Sequence, residues 1–171
     1  PLRIAFLGDS FIEADIFTLD LRKFLQSRYG GGGAGWMPFS SEVSGYRQGI
    51  THSFSGWKDH FIIRQSKELY PLTGHYYTCE GSATLQYKVA KGYTPWDCAT
   101  IFYTSNKEVQ VTLSSADTTQ QYSLPPSSEM SAYAIKGQGG EMKLSFSGAE
   151  GAKFYGIALD GTKQGGGVIL D

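Results

Sequence analysis

Charge is sparse and balanced: 15 basic against 16 acidic residues leave a net of -1. That excludes the basic stripe by which a protein grips nucleic acid or another polyanion. No apolar run reaches the ~18 residues of a membrane-spanning helix, so no membrane span is expected in this chain. Pro1 opens directly on a strand-like run with no secretion signal, as expected of a processed or trimmed chain. The two cysteines, Cys79 and Cys98, are too few for a disulfide framework; one bridge or two buried thiols suit them equally. Histidine occurs only at His52, His60 and His75, and no His-Glu-x-x-His or paired-Cys spacing exists to hold a metal. No metal and no cofactor are expected. Asparagine is rarer still, with Asn106 alone, in an apparent hairpin turn.

Glycine and aromatics are abundant: 22 glycines, 11 tyrosines and 14% aromatic residues within a 40% hydrophobic composition. A globular, loop-rich β protein follows. From residue 82 onward the pattern is repeatedly strand-like, at 84–89, 99–103, 108–113, 132–135, 141–146 and 153–159. Several of these segments alternate apolar with polar residues, and Ser, Gly, Pro and Asn/Asp turns separate them, which suits an antiparallel sandwich. Residues 39–81 show no sustained period and read as an irregular segment that connects layers or lines a cleft. Within or beside it, Trp36, Tyr46 and Trp57 are candidates for stacking on a sugar face, or for packing between layers. The run from Gly30 to Gly35 lacks the Lys-Ser/Thr of a phosphate loop and precedes Trp36-Met37-Pro38, so it is expected to end a helix.

The chemistry concentrates at the start of the chain. Ile4-Ala5-Phe6-Leu7 is an unalternating apolar run and reads as a short strand buried on both faces. A helical period follows from about Glu13 to Tyr29, with Ala14, Phe17, Leu21, Phe24 and Leu25 on one stripe and Glu13, Asp20, Lys23 and Gln26 on the other. Between them, Gly8-Asp9-Ser10 forms a strand-to-helix turn. Such a turn exposes a serine hydroxyl while backbone N–H groups point at the space where an oxyanion would form. Asp9 anchors the loop through short hydrogen bonds to the backbone. The same residues also suit an ordinary helix N-cap.

The whole run Gly8-Asp9-Ser10-Phe11-Ile12-Glu13-Ala14-Asp15, continuing through Leu21-Arg22, Arg28-Tyr29-Gly30 and Gly35-Trp36 to Pro38, resembles the first sequence block of the SGNH (GDSL) hydrolases. The likeness is greatest to the peptidoglycan O-acetylesterase branch, and it extends loosely through Gly45-Tyr46-Arg47 and Ser55-Gly56-Trp57. It implies that Ser10 is the nucleophile, its own N–H an oxyanion donor. It also implies that a carbohydrate-binding-like jelly roll is inserted after the first strand and helix. The fold class expected is therefore mainly β with a small α/β part: residues 1–38 as the start of a hydrolase domain, 39–81 as connection, and 82–171 as sandwich.

The chain lacks the Asp-x-x-His block that supplies base and orienting acid in that family, and Asn106 lacks the context of its oxyanion asparagine. One strand and one helix cannot make a doubly wound sheet, so these residues are expected to be the front portion of a larger hydrolase. Its remainder then counts as a partner. The run Gly167-Val168-Ile169-Leu170-Asp171 reads as a strand entering that domain. The resemblance implies an O-acetylated glycan, such as peptidoglycan, as substrate, and a periplasmic or cell-surface location. A non-catalytic carbohydrate-binding sandwich and an adhesin-like sandwich are the competing readings.

Overall fold

The computed structural model describes residues 1–64, 67, 69–115, 118–137, 139–161 and 166–171. In chain order the elements are β1 (Leu2–Ile4), α1 (Ser10–Glu13), α2 (Thr18–Tyr29), β2 (Gly32–Met37), a 3₁₀ turn (Ser44–Tyr46), β3 (Ile50–Ser55), β4 (Lys58–Phe61) and β5 (His75–Thr78). There follow β6 (Ser82–Val89), β7 (Cys98–Ser105), β8 (Val109–Ser115), β9 (Thr118–Leu124), β10 (Ser127–Lys136), β11 (Glu141–Ser147), β12 (Lys153–Gly161) and β13 (Val168–Leu170).

Alternation builds the two main sheets. On β7, Ala99, Ile101 and Tyr103 are buried while Thr100, Phe102 and Thr104 stay partly exposed. On β6 and β11 the inward residues are Ala83, Leu85 and Tyr87, and Met142, Leu144 and Phe146. One sheet runs β10-β7-β12-β5-β4, with β2 also on β12; the other runs β3-β6-β11-β8-β9, and the pairings within both are antiparallel. Their inner faces close on one core centred on Phe39, Phe146 and Phe154. Each such side chain contributes about 1.5–3 kcal/mol on burial. The protein is thus mainly β, an antiparallel sandwich with a small α/β part.

That part is a third, two-stranded sheet in which β13 pairs β1 in parallel, Leu2 with Val168 and Ile4 with Leu170. Residues 168–170 therefore belong with the start of the chain, not with the sandwich. Two further expectations need correction. Residues 39–81 are not simply irregular: β3 joins one sandwich sheet and β4 and β5 the other. Their short lengths and mixed polarity hid them. The glycine run does end α2, but Gly32–Met37 then forms β2, so the sandwich already begins before residue 38.

The single helix expected from Glu13 to Tyr29 is broken. Asp15 adopts φ 62° between α1 and α2, a left-handed conformation that aspartate tolerates better than most residues. Its buried carboxylate takes a hydrogen bond from Thr18 Oγ1 at 2.5 Å and an ion pair from Arg22 Nη1 at 2.6 Å. Arg22 Nε reaches the Leu170 carbonyl at 3.2 Å and so ties α2 to β13. This polar face, with Leu19, is the buried side of α2. The apolar stripe points the other way, and of its members only Ala14 is buried, while Phe17 and Phe24 are 61% and 60% exposed. The strand expected over residues 4–7, buried on both faces, lies instead at Leu2–Ile4 and is open, with Leu2 and Leu7 exposed.

Candidate functional site

Ser10 is the first residue of α1 and is exposed. The turn that presents it has three supports. Gly8 packs against Ile12, and a Cβ at position 8 would lie 2.4 Å from Ile12 Cγ1. Asp9 is the N-cap: its Oδ1 accepts from Phe11 N at 3.0 Å, while its carbonyl accepts from Ile12 and Glu13. Glu13 holds the far end, taking the Ser41 hydroxyl on Oε1 at 2.7 Å and Arg47 Nε on its carbonyl at 2.8 Å.

The donors near Ser10 differ from the expectation of a long helix aimed at the site. With four residues, α1 has little dipole. Asp9 already occupies the N–H groups of Phe11, Ile12 and Glu13. Among the described residues no acceptor meets the Ser10 N–H, which is the donor left for an oxyanion.

Arg47, which the Gly45-Tyr46-Arg47 likeness includes without giving it a role, is a positioning residue. Besides Glu13 it contacts Met37 Sδ at 2.9 Å, which links α1 to β2. Burial pulls its pKa below the ordinary guanidinium value, an effect that Asp15 and Glu13 oppose and Arg22 reinforces. A second clamp lies under β1. Arg3 Nη1 bonds both carboxylate oxygens of Asp171 at 2.8 Å, and its Nη2 bonds Asp160. Asp171 Oδ1 also accepts from Trp36 N at 2.8 Å. Burial raises the Asp160 pKa, with Arg3 opposing. The ends of β1 and β13 are thereby fastened to β12 and β2. Only pairing across more than 150 residues makes this clamp, so no local motif announces it.

The histidines serve the sandwich. His52 is buried and stacked on Tyr87 at 4.7 Å, and burial, helped by the charge of Arg47, lowers its pKa to about 4. His60 stacks on Tyr76 at 4.4 Å, and His75 Nδ1 meets Asp59 at 2.9 Å beside the ring of Phe61. Among the described residues the Ser10 hydroxyl has no hydrogen-bond partner, and no group of His, Cys, Asp and Glu forms a metal cluster. Cys79 and Cys98 are free thiols.

The three aromatic candidates separate. Trp57 is a packing residue: its Nε1 donates to Thr84 O at 3.0 Å and its ring meets Phe39, Phe146 and Phe154 edge-on at 4.7–5.2 Å. The stacking expectation for it is therefore corrected. Tyr46 is 68% exposed on the 3₁₀ turn, next to Arg47 and hence near α1. Trp36 is partly exposed on β2, one hydrogen bond from Asp171.

No family model matches the sequence, and no curated protein matches it. Among solved structures, the fold is similar to that of a peptidoglycan O-acetylesterase, with a TM-score of 0.65 and 23% identity over 99% of this chain and 45% of that one. The chain thus spans less than half the length of that esterase. A looser likeness links it to a family 29 carbohydrate-binding module, TM-score 0.44 and 11% identity over 73% of this chain and 87% of that one. A variant of such a module in complex with mannohexaose gives 0.45 and 11% over 75% and 92%.

Proposed function

We propose that Ser10 is the nucleophile of an SGNH-type serine esterase that removes O-acetyl groups from a cell-wall glycan, in the periplasm or at the cell surface. The observation that carries this reading is the turn itself: an exposed serine at the carboxyl end of a parallel strand, held by Asp9 and Gly8, with its own N–H unclaimed. The similarity in fold to a peptidoglycan O-acetylesterase supports the choice of ester.

In this reading Ser10 Oγ attacks the acetyl carbonyl carbon while a base takes its proton. The Ser10 N–H donates to the oxyanion of the tetrahedral intermediate. That intermediate collapses as the sugar oxygen leaves with a proton from the same base, and water then hydrolyses the acetyl-serine to acetate. Base and orienting acid come from polypeptide outside these 171 residues, since the three histidines are committed to the sandwich. The exposed apolar side of α1 and α2, with Phe11, Ile16, Phe17 and Phe24, suits a layer of the same larger domain.

The test compares hydrolysis of 4-nitrophenyl acetate by the longer protein that contains this chain, by its Ser10→Ala variant and by residues 1–171 alone. The longer protein turns over and the variant does not, with folding confirmed by circular dichroism. The short chain shows no serine-dependent turnover, because losing triad members costs several orders of magnitude. An active Ser10→Ala variant removes the nucleophile assignment.

A further inference from the structure

The Trp36 indole packs on the sheet that contains β7 and β12, on the face away from the core. Its strand pairs with β12, Trp36 opposite Ala158. The indole rests on the backbone of Gly156, where a Cβ would come within 2.3 Å of the ring. A side chain at 156 would lift the indole off the sheet. Beside it is Phe102 of β7, the register partner of Gly156, with ring centroids 5.0 Å apart and a tilt of 40°. Tyr155 completes the group, its hydroxyl 3.1 Å from Thr104 Oγ1. These four side chains are all partly exposed, whereas Ile101, Tyr103, Phe154 and Ile157, on the opposite face, fill the core. Across Phe102 stands the small, exposed Ala132 of β10, so that approach to the ring is open.

An apolar surface made of two flat rings and edged by hydroxyls has the chemistry that binds sugars. In a gluco-configured pyranose every hydroxyl is equatorial, which leaves C–H groups on both ring faces to lie on aromatics while hydroxyls bond at the rim. We propose that Trp36, Phe102, Tyr155 and Thr104 form a platform for a β-1,4-linked glycan of gluco configuration, with successive pyranoses on the indole and the phenyl ring and the Tyr155–Thr104 pair bonding their hydroxyls. The backbone of the platform strand is tied to the segment that leads into the Ser10 turn. Trp36 N–H is bound to Asp171, whose backbone closes on Ile4 and Phe6 just before the Ser10 turn. The choice of a cell-wall type of glycan rests on the esterase reading; the platform geometry does not.

The probe is chitotetraose, a β-1,4-linked N-acetylglucosamine tetramer, titrated into the 171-residue chain, with maltotetraose as the α-linked comparison. In a heteronuclear NMR spectrum the indole N–H signal of Trp36, assigned by its loss in Trp36→Phe, should move with chitotetraose while those of Trp57 and Trp96 hold still. Calorimetry should show that Phe102→Ala and Gly156→Val each weaken binding by about tenfold or more, the second by displacing the indole without removing any platform ring. No shift at Trp36 with chitotetraose at about 10 mM overturns the platform. Equal response to maltotetraose overturns the linkage assignment. Hydrolysis of 4-nitrophenyl acetate does not engage the platform. Ser10-dependent turnover without chitotetraose binding therefore sinks this proposal alone, and binding without turnover sinks only the esterase.

Discussion

Replacing Arg22 by Met probes the polar contact that joins α2 to β13. Asp15 and Arg22 side chains are 2% and 9% exposed, so the pair is desolvated; Arg22 is the cation in direct contact with that carboxylate among the described residues, and Arg47 acts on both through its charge without an ion pair. Met matches the length of the aliphatic stem but leaves the Asp15 carboxylate buried with a single hydroxyl donor from Thr18, and the Leu170 carbonyl loses Nε. Breaking a buried pair from one side costs about 3–5 kcal/mol. With a urea slope of about 2 kcal/mol per molar, the unfolding midpoint should fall by roughly 1.5–2.5 M. The informative partner is Asp15→Asn combined with Arg22→Met. Asparagine keeps the left-handed conformation accessible at position 15 and removes the stranded charge, so the double variant should recover at least half of the loss. Both are measured by circular dichroism in urea. A single variant that shifts the midpoint by less than about 0.5 M, or a double variant no more stable than the single, would refute the claim that Asp15 depends on Arg22 for its buried charge.

Other outcomes follow from the same geometry. His52 has a folded pKa of about 4 against about 6.5 in the unfolded chain, so the unfolded state takes the proton first. Stability is full above about pH 6.5 and declines toward pH 4 by about 3 kcal/mol, and His52→Phe should flatten that part of the urea-midpoint profile. Gly8→Val collides with Ile12 and displaces the Ser10 turn; on the proposed esterase reading, Ser10-dependent hydrolysis of 4-nitrophenyl acetate by the longer protein should drop about 100-fold while its circular dichroism is unchanged. Trp57→Ala removes three edge-on aromatic contacts and should cost about 2–4 kcal/mol in urea unfolding without weakening chitotetraose, which a loss of binding would contradict.

Some of this was determined by local sequence alone. Gly8-Asp9-Ser10 makes an exposed capped turn because an aspartate cap and a glycine without Cβ act within a few residues, and the distant Ser41 and Arg47 add only the hold on Glu13 at its far end. The long strands β6, β7, β8, β11 and β12 were equally legible, since β6, β8 and β11 alternate apolar with polar residues and β7 and β12 carry runs of aromatic and aliphatic residues bounded by turns. β9, with Thr118, Thr119, Gln120 and Gln121, was not, because an edge strand with one face to solvent needs few apolar residues. Only tertiary structure decided which face of α2 is buried. The helical period marked Phe17, Leu21 and Phe24, but Arg22 reaches Asp15 and Leu170 and turns the polar face inward. Likewise Trp36 and Trp57 are the same residue type with similar neighbours in sequence. One packs on Gly156 and Phe102 at the outer face and the other is wedged against Phe146 and Phe154, because burial depends on partners that the chain brings from distant strands.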